Sequence, residues 1–379
     1  MKIIHLSDLH LGKKVNEYSM LEDQKYILTK ITDIVEEESP DCVIIAGDVY
    51  DKSVPSTESV ELFDDFLYHI SRKNVHIFII SGNHDSSERL SFGGRLMNKS
   101  GVHISPVYDG NLYSYEMKDE YGSVVIHLLP FVKPSNVRKF FEDKEIVTYT
   151  DAISAAINKK RPDTSKRNIL VTHQFVTGAE RSESEEISIG GTDNVDSSVF
   201  DDFDYVALGH LHRPQNVTGE RIRYCGTPLK YSFSEANDKK SVTVAELHEK
   251  GTLTVRTIPL APLHDMVEIK GTFDEIMSDD FRKNTTYGND YVHITLTDEE
   301  DIPYAVSKLH PVYHNLMKLD YDNTRTRHSS VITTSENIDS KSPLELFSDF
   351  FEMCSGSPMT DEQSEYIGNI IKNIWEDKI

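Results

Sequence analysis

Short apolar runs alternate with longer amphipathic stretches over the first two thirds of the chain, a pattern typical of α/β proteins. The runs are rich in β-branched residues and indicate buried strands, the last two joined by a hairpin turn at Glu249-Lys250-Gly251. Residues 21–37 and 58–70 keep their apolar positions on one face and predict helices. The predicted strands are Ile3–Leu6, Cys42–Ala46, His76–Ile80, Val124–Leu129, Ile169–Thr172, Tyr205–Leu208, Val242–Leu247 and Leu253–Ile258.

A domain boundary is predicted near residue 260, where Pro259 and Pro262 interrupt the pattern before it restarts at Met266. We therefore expect a first domain over residues 1–260 and a small α+β domain over residues 261–322. The polar stretch 323–341 is interpreted as a linker. The small domain is predicted to contain strands Met266–Lys270, Tyr291–Thr297 and Asn315–Asp320, with short helices at Phe273–Ser278 and Tyr304–Leu309.

The tail, residues 342–379, carries two helix-start patterns, Ser342-Pro343-Leu344-Glu345 and Thr360-Asp361-Glu362-Gln363. Each precedes an apolar stripe, so two amphipathic helices are predicted. These stripes could cover the body of the same chain or dock another protein's helices, and the sequence leaves both open. The stripe residues are Leu344, Phe347, Phe350, Phe351 and Cys354, then Tyr366, Ile367, Ile370, Ile371, Ile374 and Trp375.

Composition adds a net charge of -23 over 379 residues, from 63 acidic and 40 basic side chains. A DNA-binding protein usually carries a basic face, which this total does not suggest. The deficit is uneven, however: residues 1–260 sum to -10 (30 basic, 40 acidic) and residues 261–379 to -13 (10 basic, 23 acidic). The charge therefore does not exclude DNA, but it predicts weak DNA binding by this chain alone.

The three cysteines lie far apart, with no closely spaced pair that could form a thiolate zinc site, and fit a reducing compartment. The N-terminus becomes polar too soon for a signal peptide, and no apolar run approaches the roughly 20 residues of a membrane span. We expect a cytoplasmic protein without a membrane partner.

Five of the apolar runs lead directly into residues of the types that bind metals. In an extended segment residues i and i+2 point the same way, so Asp8 with His10 and His210 with His212 can each face one centre. The carboxyl ends of neighbouring strands form the edge where open α/β sheets place their sites. The motifs are Asp8-x-His10, Gly47-Asp48-Val49-Tyr50-Asp51, Gly82-Asn83-His84-Asp85, His173 and Gly209-His210-Leu211-His212.

These donors predict a centre of two divalent ions. Carboxylate, imidazole and amide groups without sulfur suit Mn²⁺, with Fe²⁺ or Zn²⁺ as alternatives. Two Asp, one Asn and four His exceed the needs of one ion, and paired ions catalyse in-line displacement at phosphorus. Taken singly, each Asp could be a helix cap and each His an ordinary polar residue, but five such strand ends in order favour a metal centre.

The motif order resembles the calcineurin-like metallophosphoesterase superfamily. Three longer strings, GDVYDKSVPS, SGNHDSSERLSFGGRL and RYCGTPLKYSFSE, closely resemble the nuclease subunits of bacterial SbcCD complexes, relatives of the break-repair nucleases of archaea and eukaryotes. The similarity covers residues 1 to about 260 and continues more weakly beyond them. It implies a two-sheet α/β sandwich flanked by helices, with a small α+β DNA-capping domain and a C-terminal helical tail.

Position by position, the resemblance implies two metal sub-sites bridged by Asp48. It implies that His84 is a catalytic histidine that is not a ligand, and that stabilises the attacked phosphate or protonates the leaving oxygen. Asp51 matches the carboxylate that pairs with this histidine in related phosphatases, although archaeal nucleases have a histidine there, and Asp85 would support the ligands. The implied ligands are Asp8, His10 and His212 for one ion and Asn83, His173 and His210 for the other.

The resemblance also implies a function: hydrolysis of DNA phosphodiesters by a metal-bridging hydroxide in an ATP-dependent exonuclease that also opens hairpins and cuts single strands. Its partners would be a second copy of the chain, joined through the helices after the GDVYD and GNHD motifs, and an SMC-like ATPase on the tail. Rival interpretations are a stand-alone phosphoesterase for small nucleotides or phosphoproteins and a weakly catalytic scaffold for the ATPase. Candidate DNA contacts are Lys159, Lys160, Arg161, Lys166, Arg167 and Arg89.

Overall fold

The computed structural model describes residues 1–141, 143, 145–180, 193–329, 343–355 and 357–376. The chain divides into two compact units, Met1–Met266 and Val267–Ile379. The first unit holds two six-stranded sheets and the second a three-stranded sheet.

The first unit extends to Met266, beyond the boundary predicted at residue 260. Hydrogen bonds donated by backbone N–H groups explain the difference. The N–H of Leu260 donates to the carbonyl of Lys240 at 2.9 Å, and the N–H of His264 donates to the carboxylate of Asp23 at 3.0 Å. The proline-rich segment thus stays attached to the first unit.

The elements of the first unit follow the predicted alternation of strand and helix. Its strands are β1 (Lys2–Leu6), β2 (Lys14–Val15), β3 (Tyr18–Ser19), β4 (Cys42–Ala46), β5 (His76–Ile80), β6 (Val102–Ile104), β7 (Tyr113–Asp119), β8 (Gly122–Leu129), β9 (Arg167–His173), β10 (Phe175–Val176), β11 (Asn194–Val195), β12 (Tyr205–Gly209), β13 (Gln215–Thr218), β14 (Ile222–Tyr224), β15 (Ser241–Leu247) and β16 (Leu253–Pro259). Its helices are α1 (Leu21–Glu38), α2 (Thr57–Ser71), α3 (Ser87–Leu90), α4 (Gly94–Met97), α5 (Pro134–Arg138) and α6 (Tyr149–Asn158).

Two mixed sheets form the body of this unit. The first has the order β16-β15-β1-β4-β5-β6 and the second β13-β14-β12-β9-β8-β7. In the first sheet β1, β4, β5 and β6 run parallel, and β15 and β16 add antiparallel pairings at one edge. In the second sheet β14, β12, β9 and β8 run parallel, and β13 and β7 add antiparallel pairings at the two edges. Because parallel strands share a direction, their carboxyl ends meet at the same edge of the sheet.

The two sheets pack face to face through alternate residues of their central strands. Ile3, Ile44 and Phe78 of the first sheet share a buried cluster with Ile126 and Val171 of the second. Successive strand residues point to opposite faces, so the buried residues between them line the outer faces. On the second sheet that outer face is covered by the alanine-rich helix α6. The result is the helix-flanked sandwich that the family resemblance implied.

All eight predicted strands of this unit are confirmed to within two residues at each end, and so are helices α1 and α2. Strand β7, whose exposure alternates residue by residue, was not predicted, nor were the short strands β6, β13 and β14 or helix α6, whose Thr148 and Asp151 form a capping box. Strands β7, β13 and β14 belong to the second sheet and α6 packs against it, so without them that layer is incomplete.

The second unit is built on the parallel pairing of two strands beside a third, with a small apolar core of its own. Thr272 and Glu275 form a capping box at the start of its first helix. Its elements are β17 (Met266–Gly271), α7 (Phe273–Met277), α8 (Asp279–Arg282), β18 (Tyr291–Leu296), α9 (Ala305–Leu309), β19 (Asn315–Tyr321), α10 (Thr324–Ser329), α11 (Pro343–Ser355) and α12 (Asp361–Glu376).

The predicted linker begins as a helix rather than as a polar coil. Helix α10 occupies the first residues of the 323–341 stretch, because Asn323 caps it: the N–H of Thr326 donates to Asn323 Oδ1 at 3.1 Å. Residues 330–342, including the predicted cap at Ser342, lie outside the described residues.

The tail contains the two predicted helices, α11 and α12. At the start of α12, the N–H of Gln363 donates to Thr360 Oγ1 (3.3 Å) and the N–H of Thr360 donates to Gln363 Oε1 (2.9 Å), which confirms the second capping box. The side chains of Cys354, Ile374 and Trp375 lie outside the described part of the chain. Among the helices of the described residues, none combines the length and apolar character that crossing a bilayer demands.

Candidate metal centre

The predicted ligand residues follow strands of both sheets. Strands β1, β4 and β5 of the first sheet and β9 and β12 of the second deliver them where the two sheets approach. The approach is close, because His173 Nδ1 donates to the carbonyl of Ala46 at 2.8 Å, joining β9 to β4. All seven are buried except Asn83 and His210, which are half-buried.

The backbone at these strand ends is not extended, contrary to the i, i+2 argument for Asp8 and His10. Their φ angles are 53° and 45°, and those of Asp48 and His210 are 49° and 109°. This left-handed region is unfavourable for residues other than glycine and persists where surrounding contacts impose it. Here the N–H groups of Asp8 and His10 donate to the carbonyls of Gly47 and Asp48, both at 3.0 Å.

One group of donors consists of Asp8, His10 and His212, which each offer a ligand atom within 4.8 Å of the others. The Nε2 atoms of His10 and His212 lie 3.1 Å apart. The N–H of His210 donates to the Asp8 carboxylate at 3.1 Å, which ties the β12 end to the β1 end.

A second group surrounds the side-chain oxygen of Asn83. His173 Nε2 and His210 Nδ1 each lie 3.0 Å from Asn83 Oδ1. The Asp48 carboxylate lies between the groups, with Oδ2 at 3.3 Å from His173 Nε2 and 3.8 Å from His10 Nε2. The donors therefore form two adjoining clusters that share Asp48.

The donor set fits divalent cations. Nδ1 of His173 donates to Ala46, so Nε2 is the nitrogen that faces the Asn83 oxygen, and once Nε2 is deprotonated the two facing acceptors attract a cation. His10 Nδ1 is buried without a hydrogen-bond partner among the described residues. The seven side chains of the two clusters offer oxygen and nitrogen atoms, which is the ligand chemistry of Mn²⁺, Fe²⁺ or Zn²⁺.

The buried carboxylates of the centre stabilise positive charge beside them, whether on a histidine or on a bound cation. Burial would lower the pKa of His173, but the carboxylates of Asp48 and Asp8 outweigh it and raise that pKa to about 9. Burial, with the repulsion of Asp48, raises the pKa of Asp8 to about 6. Burial acts the same way on Asp48, yet its histidine neighbours hold the pKa of that carboxyl far below its ordinary value.

His84 lies beside the centre, and one of its nitrogens falls within 4.8 Å of ligand atoms of His10 and Asp48. Its ring does not pair with the Asp51 carboxylate, which corrects that expectation. Nδ1 of His84 instead lies 3.0 Å from the backbone carbonyl of Asp51. The Asp51 carboxylate instead accepts a hydrogen bond from Lys13 Nζ at 2.9 Å, and its Oδ1 lies 3.8 Å from His10 Nδ1.

Asp85 supports the loops that carry the ligands. Its carboxylate accepts hydrogen bonds from the N–H groups of Gly82 (2.9 Å), Val49 (3.1 Å) and Tyr50 (2.9 Å). Asp85 thereby joins the loop after β5 to the loop after β4. Burial, with the nearby charge of Asp48, raises the pKa of Asp85 to about 6.

Three buried residues around the centre were not singled out from the sequence. Gln24 Nε2 donates to the carbonyl of His10 at 2.8 Å, and the Tyr231 hydroxyl donates to the carbonyl of Leu9 at 2.5 Å. Glu235 Oε1 lies 3.4 Å from His212 Nδ1. Tyr231 and Glu235 belong to the RYCGTPLKYSFSE string. The string supported the family resemblance, but its residue types alone did not show that these two side chains contact the metal-centre segments.

The predicted basic cluster lies at the opposite end of β9 from His173. A seven-residue strand separates the two by roughly 20 Å. The structure corrects the expectation for Arg167, which is buried and donates to the Asp119 carboxylate and to the carbonyl of His248 (2.8 Å). Arg167 therefore holds strands together and offers no free surface to DNA.

The remaining predicted DNA contacts differ in how far they are engaged. Arg161 pairs with Asp202 at 2.7 Å, and Lys166 pairs with Glu116 at 2.8 Å. Lys159 Nζ donates to the carbonyl of Gly110 at 2.7 Å. Lys160 and Arg89 are exposed, and Arg89 lies in α3, just after the His84 loop.

Comparison with known proteins places this fold. The calcineurin-like phosphoesterase family matches residues 1–214, more than half of the chain. The SbcD subunit of the nuclease SbcCD from Staphylococcus epidermidis is 34% identical over 380 residues, which cover 99% of each chain. The chain belongs to the SbcD family of calcineurin-like phosphoesterases. The resemblance stated from the motifs is thus confirmed, and the family's fold implies divalent metal ions.

Further relatives agree with this assignment. The SbcD subunit of the nuclease SbcCD from Staphylococcus saprophyticus is 32% identical and covers 100% of this chain and 99% of its own. Residues 262–354 match the type 5 capsule protein repressor C-terminal domain. A dimetal phosphatase from Danio rerio is 14% identical over 69% of this chain and 99% of its own, with a TM-score of 0.40. A likeness at that level carries no information about the site.

Proposed function

We propose that the chain is the nuclease subunit of an SbcCD-type complex and hydrolyses DNA phosphodiester bonds with two divalent metal ions. The observation that carries the proposal is the convergence of seven nitrogen- and oxygen-bearing side chains from five strand ends on one place. The full-length similarity to proteins named as SbcD subunits of the nuclease SbcCD supports DNA as the substrate and an SbcC-type ATPase as the partner.

In this proposal one ion is held by Asp8, His10 and His212, and Asp48 is shared with the second. The second ion takes Asn83, His173 and His210. The absence of sulfur among these donors favours Mn²⁺ over softer ions. When bound, paired ions of this kind supply an activated water at neutral pH and neutralise the charge of the phosphate.

His84 is proposed as the catalytic histidine. The carbonyl of Asp51, 3.0 Å from Nδ1, favours a proton on that nitrogen. The N–H of His84 donates to Asp48 Oδ1 at 2.9 Å, which fixes the residue against the centre. From this position the imidazole can stabilise charge on the attacked phosphate or protonate the leaving oxygen.

The proposed assembly uses surfaces that each unit leaves exposed. Phe92 and Leu96, which are 85% and 78% exposed near the GNHD loop, support a homodimer interface. In the tail, Phe350 and Tyr366 are 55% and 68% exposed, which supports docking of the ATPase there. An intracellular complex working on chromosomal DNA ends, hairpins and single strands, in recombination, replication and repair, follows from this proposal.

The test is an assay of the purified chain with Mn²⁺ on end-labelled linear duplex and hairpin DNA, with and without the ATPase partner. The matched variant is His84→Ala. We expect this variant to lose about 10²–10⁴-fold in rate, as for other positioned acids or charge stabilisers, while its Mn²⁺ content stays unchanged.

Two results would count against the proposal. Hydrolysis of small phosphodiesters without any cleavage of DNA, even with the ATPase present, would favour a stand-alone phosphoesterase. Equal rates for wild type and His84→Ala would favour a scaffold whose metal site contributes little chemistry.

A further inference from the structure

A buried ion pair lies directly behind the metal centre. Glu235 and Lys240 are 0% and 5% exposed, and Lys240 Nζ lies 2.5 Å from Glu235 Oε2. Removing two charges from water is costly, and their attraction offsets that cost only with good geometry and further hydrogen bonds. The further contacts of Glu235 and Lys240 therefore determine whether the buried pair is stable.

Both members of the pair contact His212. The second carboxylate oxygen, Glu235 Oε1, lies 3.4 Å from His212 Nδ1. Lys240 Nζ donates to the carbonyl of His212 at 2.9 Å and to Thr227 Oγ1 at 2.8 Å. Glu235 thus contacts the imidazole of His212, and Lys240 donates to the backbone carbonyl of the same residue.

These contacts determine which nitrogen of His212 faces the centre. A carboxylate accepts but does not donate, so Glu235 favours the tautomer with the proton on Nδ1. Nε2, which lies 3.1 Å from His10 Nε2, then carries the lone pair. A carboxylate on the outer nitrogen also makes the imidazole a stronger ligand, and loss of such a partner typically lowers metal affinity by 10–100-fold.

The surrounding chain is shaped to keep His212 in this position. The N–H of Thr227 also donates to the carbonyl of His212, at 3.1 Å. A Cβ on Gly226, whose φ is +76°, would lie 2.6 Å from that carbonyl oxygen. Residues 225–235 of the RYCGTPLKYSFSE string therefore reach His212 through Gly226, Thr227 and Glu235.

We propose that Glu235, held by Lys240, is the positioning residue of His212 and strengthens the binding of the ion that His212 ligates. His173 provides the contrast within the centre, because its outer nitrogen donates to the neutral carbonyl of Ala46. The ion held by Asp8, His10 and His212 is therefore the one that depends on Glu235. This inference rests on the proposed ligand assignment.

The experiment measures Mn²⁺ binding to the full chain by titration calorimetry, together with thermal unfolding of the metal-free protein. Single changes would leave one buried charge unpaired, so the test uses the neutral double variants Glu235→Gln/Lys240→Met and Glu235→Leu/Lys240→Met. The first keeps an acceptor for His212 Nδ1, and the second removes it. Glu246→Gln, which changes a partly exposed carboxylate on β15, is the control.

We expect the leucine double variant to bind one of two Mn²⁺ ions about 10–100-fold more weakly, with a smaller loss in the glutamine double variant. The other ion and the control should keep wild-type affinity. Wild-type affinity for both ions in both folded double variants would overturn the role of Glu235 while leaving the metal centre intact. If wild type itself bound no Mn²⁺, the proposed centre would fail, and this inference with it.

Discussion

Replacing Gly209 by alanine should disable the centre while leaving the fold largely in place. Gly209 is the last residue of β12 and pairs in register with His173. A Cβ at this position would lie 1.9 Å from the carbonyl oxygen of Ala46 and 2.7 Å from His173 Nδ1. These two atoms form the hydrogen bond that orients His173, so the added methyl group would push directly against it.

The size of the effect follows from these distances. Since ordinary contacts begin at 3.4 Å, the Ala46 carbonyl would have to shift by about 1.5 Å, and a backbone atom between two packed sheets cannot do so cheaply. Overpacking of this kind typically costs about 1–3 kcal/mol of unfolding free energy. A misplacement of about 1 Å in a catalytic site costs roughly 10²-fold in rate. Activity should therefore fall much further than stability.

The assay combines Mn²⁺-dependent phosphodiester hydrolysis with urea unfolding of the same preparations. Gly94→Ala is the matched control, because its Cβ would lie 3.5 Å from Ile104 Cβ, an ordinary contact. That variant should keep wild-type activity. Wild-type hydrolysis by folded Gly209→Ala would refute the reasoning, since it would mean that the two sheets do not approach closely enough to orient His173.

Three further outcomes are expected. Arg167→Ala should lower the unfolding free energy by about 3 kcal/mol, because it removes a buried partner of Asp119. The control Lys160→Ala should leave the unfolding free energy unchanged. Equal stability of the two variants in denaturant titrations would contradict this. Although burial opposes ionisation, hydrogen bonds from Arg167 and the N-terminal amine hold the pKa of Asp119 well below its ordinary value. The stabilisation by Asp119 is therefore complete above about pH 4 and is lost as the pH falls further. The melting temperature of Asp119→Asn should then fall less on acidification than that of wild type. Parallel curves of melting temperature against pH for the two proteins would exclude the effect. Introducing Asp at the exposed Phe92 and Leu96 should convert a dimer to a monomer in light scattering, and an unchanged mass would remove that interface from the proposal.

The basic cluster shows where residue type alone misleads. Arg167 belongs to a run of cations in the sequence, yet its guanidinium lies buried 3.0 Å from Asp119, which precedes it by 48 residues. The sequence shows which residues are cationic, but it does not show which of them are neutralised, because the partner of a cation such as Arg167 comes from another strand. Lys160 and Arg89 remain candidate DNA contacts because their side chains are exposed.

The apolar runs by themselves determined the central strands of both sheets, because a parallel strand that is buried on both faces needs a continuous apolar run. An edge strand such as β7, whose exposure alternates, has no such run and was not predicted. Residue type after each run likewise determined which side chains could bind metal. How those side chains meet was decided only by the tertiary structure. The left-handed backbone at Asp8 and His10, the hydrogen bond between Ala46 and His173, and the acid behind His212 each depend on atoms brought together from distant segments. Spacing in one segment carries no record of such contacts, so they become visible only when the two sheets pack.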